Sequence, residues 1–332
     1  MQALQISRQA NTSFPMLLLV TRPVPTSRPG FALVKVSFSA IQPSDKLNAK
    51  GGFSKSTFPR VPGRDYSGEV VDVAPSSPML SWIGKQVYGT SNSELGFTLD
   101  GPHAQFCLIP EAMLVEKPST LSPCQAATVG VPFTTALRCL TRARTGPGDT
   151  VLVLGARGAV GSAAVQLAKA LGCRSVLTAS RLGEGGVPDV LLSSTGSTNT
   201  LPDQVSSLTG GKGVDIVVDT VGNIALMSLA LEQLAVRGRY TWIATPRDGS
   251  STMLEFDAFQ AYRKEIELIG CNSALKQSVE EAEEVRFLNK LFESGKLEAT
   301  NEVDIERVKL VEAIEKGYGS QRSKKHVVIE MT

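Results

Sequence analysis

Residues 151–172 constrain this chain more than any other stretch. Val151-Leu152-Val153-Leu154 is a short run without polar alternation, the pattern of a strand buried on both faces of a parallel sheet. Gly155-Ala156-Arg157-Gly158-Ala159-Val160-Gly161 follows at once. From Val160, apolar residues recur at 163, 164, 167, 168 and 171, the stripe of a helix packed on that sheet, and Gly172 ends it. Val176–Ala179, Val214–Asp219, Tyr240–Ala244 and Ile266–Ile269 read as later strands. Strand, helix and strand repeating in this way predict a doubly wound α/β domain.

The glycines at 155, 158 and 161 carry a chemical implication. They let the backbone turn tightly and approach a pyrophosphate, and the last lets helix and strand pack closely. The helix that opens at Ala159 and Val160 offers unpaired N–H groups and a partial positive charge. Because the glycines follow an apolar strand and open an amphipathic helix, they are a strong dinucleotide signal. The end of the second strand then selects the nucleotide. An NAD site places an acid there for the ribose 2′-hydroxyl, but this chain has Ser180-Arg181 and no acid before Glu184. A hydroxyl beside a guanidinium suits a 2′-phosphate, so NADPH is the expected cofactor. Gly155, Arg157, Gly158, Ala159, Val160, Ser180 and Arg181 form the expected cofactor set, with Val221 and Ala244 at the ends of later strands.

The first 120 residues have a different grain. Phe31–Phe38, Gly68–Val73, Trp82–Gly89 and Ala104–Pro110 read as short strands between Gly/Pro-rich turns, which suggests a compact β-barrel-like domain. Pro123–Leu140 is helix-compatible but interrupted by Gly130 and Pro132. The last 60 residues carry an amphipathic helix with Val285, Leu288, Leu291 and Phe292, and end in a strand over His326–Glu330. Ser193–Thr200 is a polar loop. A length of 332 residues, 42% of them hydrophobic, suits about two domains with real cores.

Charge and metal-ligand counts narrow the function. Thirty-four basic residues against 32 acidic leave +2, so nothing in bulk charge points to nucleic acid. Two histidines and five scattered cysteines without a C-x-x-C pair make a clustered zinc site hard to build and argue against a disulfide framework. Met16–Val20 is too short for a signal-peptide core or a membrane span and reads as a buried strand. A soluble, cytoplasmic protein without membrane association is expected.

Taken together, these residues resemble a known family. Gly155–Gly172 is similar to the cofactor segment of the zinc-independent medium-chain dehydrogenase/reductases, in the quinone oxidoreductase and enoyl reductase branch. Gln42-Pro43-Ser44-Asp45, the stretch Pro62–Gly68, the stretch Leu95–Ala104, Asp219-Thr220-Val221-Gly222 and Glu293–Leu297 extend the resemblance over nearly the whole chain. It implies a GroES-like β-barrel catalytic domain from residues 1–124 and 273–332, with a Rossmann NADPH-binding domain at 125–272 inserted between them. The substrate would then lie in the cleft between domains, and the family often forms homodimers. Zinc-dependent relatives have Cys at the position of Gln42 and His-Glu at Arg64-Asp65, so the resemblance implies no metal here. His103 reads as a turn or packing residue.

The departures bear on mechanism. Relatives of this branch often have Asn-Pro where Gln42-Pro43 stands. Some enoyl-thioester reductases have a tyrosine acid where Phe53 aligns. The segment after Arg181 is short (LGEGGVP), and a Gly-Lys near the C-terminal strand is replaced by Lys324-Lys325-His326, which carries Lys325 into the cofactor set. The implied reaction is hydride transfer to an activated C=C bond of an enone or enoyl thioester, or to a quinone. Gln42, Lys50, Arg64 and Tyr66 are the candidates to stabilise the developing oxyanion, and water can supply the α-proton. Two other readings stay open: a non-catalytic or regulatory NADPH-binding protein, and a biosynthetic tailoring enzyme.

Overall fold

The computed structural model of the chain describes residues 1–8, 14–91, 93–181, 187–192, 200–247, 249–319 and 325–331. Most of the LGEGGVP segment (182–186), most of the polar loop (193–199) and Lys324 lie outside the described residues. The chain divides into two compact units, Pro132–Asn272 and a second made of Met1–Val131 with Ser273–Thr332. Among the described residues, no helix is long and apolar enough to cross a membrane.

In the Pro132–Asn272 unit, the apolar runs line up as a parallel sheet of six strands among the described residues. Their order is Val190–Leu191, Ser175–Ser180, Thr150–Leu154, Val214–Asp219, Leu234–Trp242 and Glu267–Gly270. Strand order therefore reverses beside Thr150–Leu154, the switch point at which doubly wound sheets bind ligands. All five residues of that strand are buried, as its unbroken apolar run requires. The Ala159–Ala170 helix buries Gly161, Ala163, Ala164, Leu167 and Ala168, the face set by its periodicity. Leu152, Leu154, Val205, Leu231 and Tyr240 share the core beneath, each large aliphatic side chain contributing about 1.5–3 kcal/mol by burial.

One strand of this sheet differs from expectation. The run anticipated at Tyr240–Ala244 begins at Leu234 and ends at Trp242. Its start is hidden in sequence by Arg237, which adopts φ 59°, and by a register shift that pairs Val214 with Leu234 but Ile216 with Arg239. An irregular, charged segment of this kind carries no alternation to read.

In the other unit, the described strands form a mainly antiparallel sheet ordered Ile305–Lys309, His326–Glu330, Phe31–Ala40, Tyr66–Val73, Gln86–Gly89 and Val115–Glu116. Phe106–Pro110 also pairs with Phe31–Ala40, and Ile305–Lys309 with His326–Glu330 is the parallel step. The core holds Leu4, Val34, Tyr66, Val70, Leu95, Ile109 and Ile329. Only Gln86–Gly89 of the expected Trp82–Gly89 run is strand, because Leu80–Trp82 is a 3₁₀ turn. The stretch from Pro123 breaks into helices Pro123–Ala126 and Gly130–Arg142, the first capped by Ser122, whose hydroxyl accepts from Gln125 N–H.

Met16–Thr21 is a strand, but the expectation that it is buried is wrong. Among the described residues it pairs with Gln2–Ser7 alone, in a two-stranded sheet, and Met16, Leu18 and Leu19 are exposed. Apolar content alone does not reveal whether a second layer covers a strand.

Candidate functional site

The glycine loop begins where Thr150–Leu154 ends. Gly155 takes φ 80°, and a Cβ there would lie 2.5 Å from Thr220 Oγ1 and 3.0 Å from Val221 Cγ2. A Cβ on Gly161 would overlap the Gly155 carbonyl, so helix and strand pack at a distance only glycine allows. Gly158 is the N-cap of the Ala159–Ala170 helix, with no side-chain cap and no acid in the first turn. The first N–H groups of this helix, from Ala159 and Val160 onward, thus have no intrahelical acceptor and no capping side chain competing with an anion. This cradle fits the pyrophosphate of a dinucleotide.

Neighbouring strand ends complete the rim. Asp219 is buried, and its Oδ1 accepts from Val221 N–H at 2.7 Å and Gly222 N–H at 3.0 Å, while Oδ2 accepts from the Tyr240 hydroxyl at 3.0 Å. Burial raises its pKa, and these three donors oppose the shift. The turn it ties holds Gly222 against the Ala244 carbonyl and leaves Val221 exposed beside Gly155. Gly155, Val221 and Ala244 therefore stand together. At the end of the next strand, Ser180 is buried while Arg181 and Arg157 are exposed, and Arg157 Nη1 donates to the Arg181 carbonyl at 3.1 Å. Lys325 belongs to the other unit, immediately ahead of His326–Glu330.

In the β-rich unit, the candidates expected to stabilise charge are arranged differently from the sequence reading. Tyr66 is wholly buried in the core and its hydroxyl has no hydrogen-bond partner, so it cannot meet a substrate oxyanion. Arg64 is also buried. Its Nε donates to Asp45 Oδ1 at 3.0 Å, a second nitrogen bonds the Ser44 hydroxyl, and the guanidinium is thereby committed. Gln42 donates its side-chain amide to Asp65 Oδ2 at 2.7 Å and its N–H to Asp45 Oδ2 at 2.8 Å. Lys50 is exposed at the end of the Pro43–Ala49 helix.

Sequence reasoning missed Lys55. Its Nζ lies 4.0 Å over the Phe97 ring and donates to the Ser93 carbonyl at 3.2 Å, while Arg64 approaches the same ring at 5.7 Å. Burial and Arg64 lower its pKa, and Glu281 opposes them. No spacing signal could have found it, because Phe97 lies 42 residues away on another loop.

Asp65 is the hub beneath these residues. It accepts from Gln42 and, at 2.9 Å, from Val131 N–H, and burial pushes its pKa up to about 7 against the pull of Arg64. Between its usual value of 3.8 and about 7, the folded protein holds a proton that the unfolded chain has released. Stability from this group therefore falls as pH rises through that window and then levels. Asp65→Asn should remove this component, so wild type should lose melting temperature relative to the variant between pH 4 and pH 7. Parallel melting curves across that range would contradict it.

His103 is fully buried. The Ala40 carbonyl can only accept, so Nε2 carries the proton at 3.1 Å, and Nδ1 accepts from the Tyr318 hydroxyl at 2.8 Å. Burial lowers its pKa, and both nitrogens are used in packing. Among the described residues, no three His, Cys, Asp or Glu side chains come together as a metal site, and the five cysteines are free thiols.

Comparison with known proteins agrees with this architecture. Residues 28–119 match the alcohol dehydrogenase GroES-like domain, and residues 159–290 match the family described as zinc-binding dehydrogenase. A zinc-type alcohol dehydrogenase-like protein of Schizosaccharomyces pombe is 41% identical over 301 residues, covering 91% of this chain and 88% of that protein. The quinone oxidoreductase of Homo sapiens is 29% identical over 255 residues, covering 74% and 73%. The fold is shared with an alcohol dehydrogenase superfamily protein from Novosphingobium aromaticivorans, at a TM-score of 0.80 and 23% identity over the whole of both chains. The zinc of these descriptions has no fitting donor set at Gln42, Arg64 and Asp65: the first gives its amide hydrogen to the third, and the second is a cation bound to Asp45. With both domains matched in this order and a relative at 41% identity, the chain belongs to the medium-chain dehydrogenase/reductase superfamily, in its quinone-oxidoreductase-like branch, a family of oxidoreductases that bind a nicotinamide dinucleotide.

Proposed function

We propose that this protein is an NADPH-dependent reductase that works without a metal on activated double bonds, in enones or enoyl thioesters, or on quinones. The observation that carries this reading is the pair of buried contacts, Gln42 with Asp65 and Arg64 with Asp45. They fill the positions at which a Lewis acid would polarise an alcohol or carbonyl oxygen. Bound at the glycine loop, NADPH supplies the hydride. The loop and the helix N-terminus orient it through backbone N–H groups, and Ser180 with Arg181 suits its 2′-phosphate. Acceptors that are already electron-poor need orientation and charge stabilisation more than metal polarisation. In the β-rich unit Tyr66 is core and Arg64 is neutralised by Asp45, so positive charge for a developing enolate falls to the ammonium groups of Lys50 and Lys55.

The test is the loss of nicotinamide absorbance with enones, enoyl thioesters, quinones and simple aldehydes, each with and without a metal chelator. Turnover of at least one activated acceptor, unaffected by chelator, is expected. Turnover restricted to aldehydes or dependent on added zinc would overturn the proposal. Tight NADPH binding with no turnover of any acceptor would favour the regulatory reading.

A further inference from the structure

Three donor-bearing residues converge at the end of the Ser175–Ser180 strand. Arg157, from the glycine loop, donates Nη1 to the Arg181 carbonyl at 3.1 Å, and the Ser180 hydroxyl donates to the same oxygen at 3.3 Å. A carbonyl oxygen has two lone pairs and can serve both. A guanidinium carries five N–H donors in a rigid plane, and the bond to the Arg181 carbonyl uses one of them to orient Arg157. The side chain crosses from the loop after one strand to the end of the next, bringing its charge beside Arg181 and the buried Ser180. Both arginine side chains are exposed, so neither position is dictated by core packing.

A dinucleotide bound to such a loop places its adenosine ribose at the end of the second strand. A phosphate ester there is a multiply charged acceptor, and the planar fork of arginine matches its oxygens. We infer that Arg157 is a second arginine for the adenosine 2′-phosphate, closing a clamp with Arg181 and setting the preference for NADPH over NADH. The inference rests on the NADPH reading above. The Arg181 carbonyl holds Arg157 in place before the ligand arrives, which lowers the ordering cost of binding. Arg157 thus determines specificity and does no chemistry.

Calorimetric binding of two fragments to the full chain separates the alternatives. 2′,5′-ADP carries the phosphate in question, and 5′-AMP lacks it. Wild type should bind 2′,5′-ADP more tightly. Arg157→Ala should weaken 2′,5′-ADP by about tenfold or more, the scale of one charge-assisted pair, and leave 5′-AMP within about twofold. Arg157→Gln keeps an N–H for the Arg181 carbonyl but loses the charge, and should behave like Arg157→Ala. Arg181→Ala should act in the same direction, and the double variant should bind both fragments alike. If wild type discriminates but Arg157→Ala and Arg157→Gln bind as wild type does, the clamp is wrong and the NADPH reading stands. Equal losses for both fragments in Arg157→Ala, restored by Arg157→Gln, would reduce Arg157 to a loop anchor. No discrimination by wild type would remove the NADPH reading and the clamp with it.

Discussion

Arg64→Ala should destabilise the β-rich unit by about 3–5 kcal/mol, because it leaves a buried carboxylate without its cation. The Arg64 and Asp45 side chains are 5% and 2% exposed, and they meet at 3.0 Å. Water cannot replace the guanidinium at such a depth without opening the structure. On the usual scaling this loss should lower the melting transition by roughly 10 °C. Removing the charge from both sides should cost less than removing it from one. Arg64→Met combined with Asp45→Asn is therefore expected to melt above Arg64→Ala, although Asp45 also accepts the Gln42 N–H at the start of the Pro43–Ala49 helix. A shift of only a degree or two for Arg64→Ala would show that the pair is hydrated. A large shift also means that activity lost in this variant is no evidence for a role at the substrate.

The contrast between Arg64 and Gly155 explains what a sequence can disclose. Val151 to Gly172 is local: strand, glycine turn and helix lie within one stretch, and each residue type has a direct backbone consequence. The fold class and the loop could therefore be read without coordinates. The β-rich unit depends on contacts that no periodicity encodes. Arg64 has Asp65 as its neighbour in sequence but pairs with Asp45, 19 residues earlier, while Asp65 turns to Gln42 and Val131. Tyr66 has the composition of a site residue and the burial of a core residue. Strands at sheet edges were missed for a related reason. Ile305–Lys309 carries three charged residues in five and buries only Ile305 and Val308, because among the described strands it lies at the sheet edge with one neighbour.

Gly161→Ala should cost both stability and dinucleotide binding. The added Cβ meets the Gly155 carbonyl, which is backbone and already accepts the Gly158 N–H at 2.9 Å, so no side chain can swing away. The helix must lift from the Thr150–Leu154 strand, and overpacking of this kind costs about 1–3 kcal/mol. Lifting the helix also moves the N–H groups of Ala159 and Val160 that would face a bound pyrophosphate, so nicotinamide dinucleotide affinity should fall at least tenfold, or about 1.4 kcal/mol. Gly158→Ala is the informative companion, since its Cβ would lie 3.4 Å from the Gly155 oxygen, an ordinary contact. That variant should melt like wild type yet bind dinucleotide more weakly, because the methyl group occupies space over the exposed turn where the ligand approaches. Calorimetry and thermal melting on both variants decide the matter. If Gly161→Ala melts normally and binds normally, close helix–strand packing is not what fixes the cradle. If Gly158→Ala binds normally, the pyrophosphate does not approach the loop at that residue.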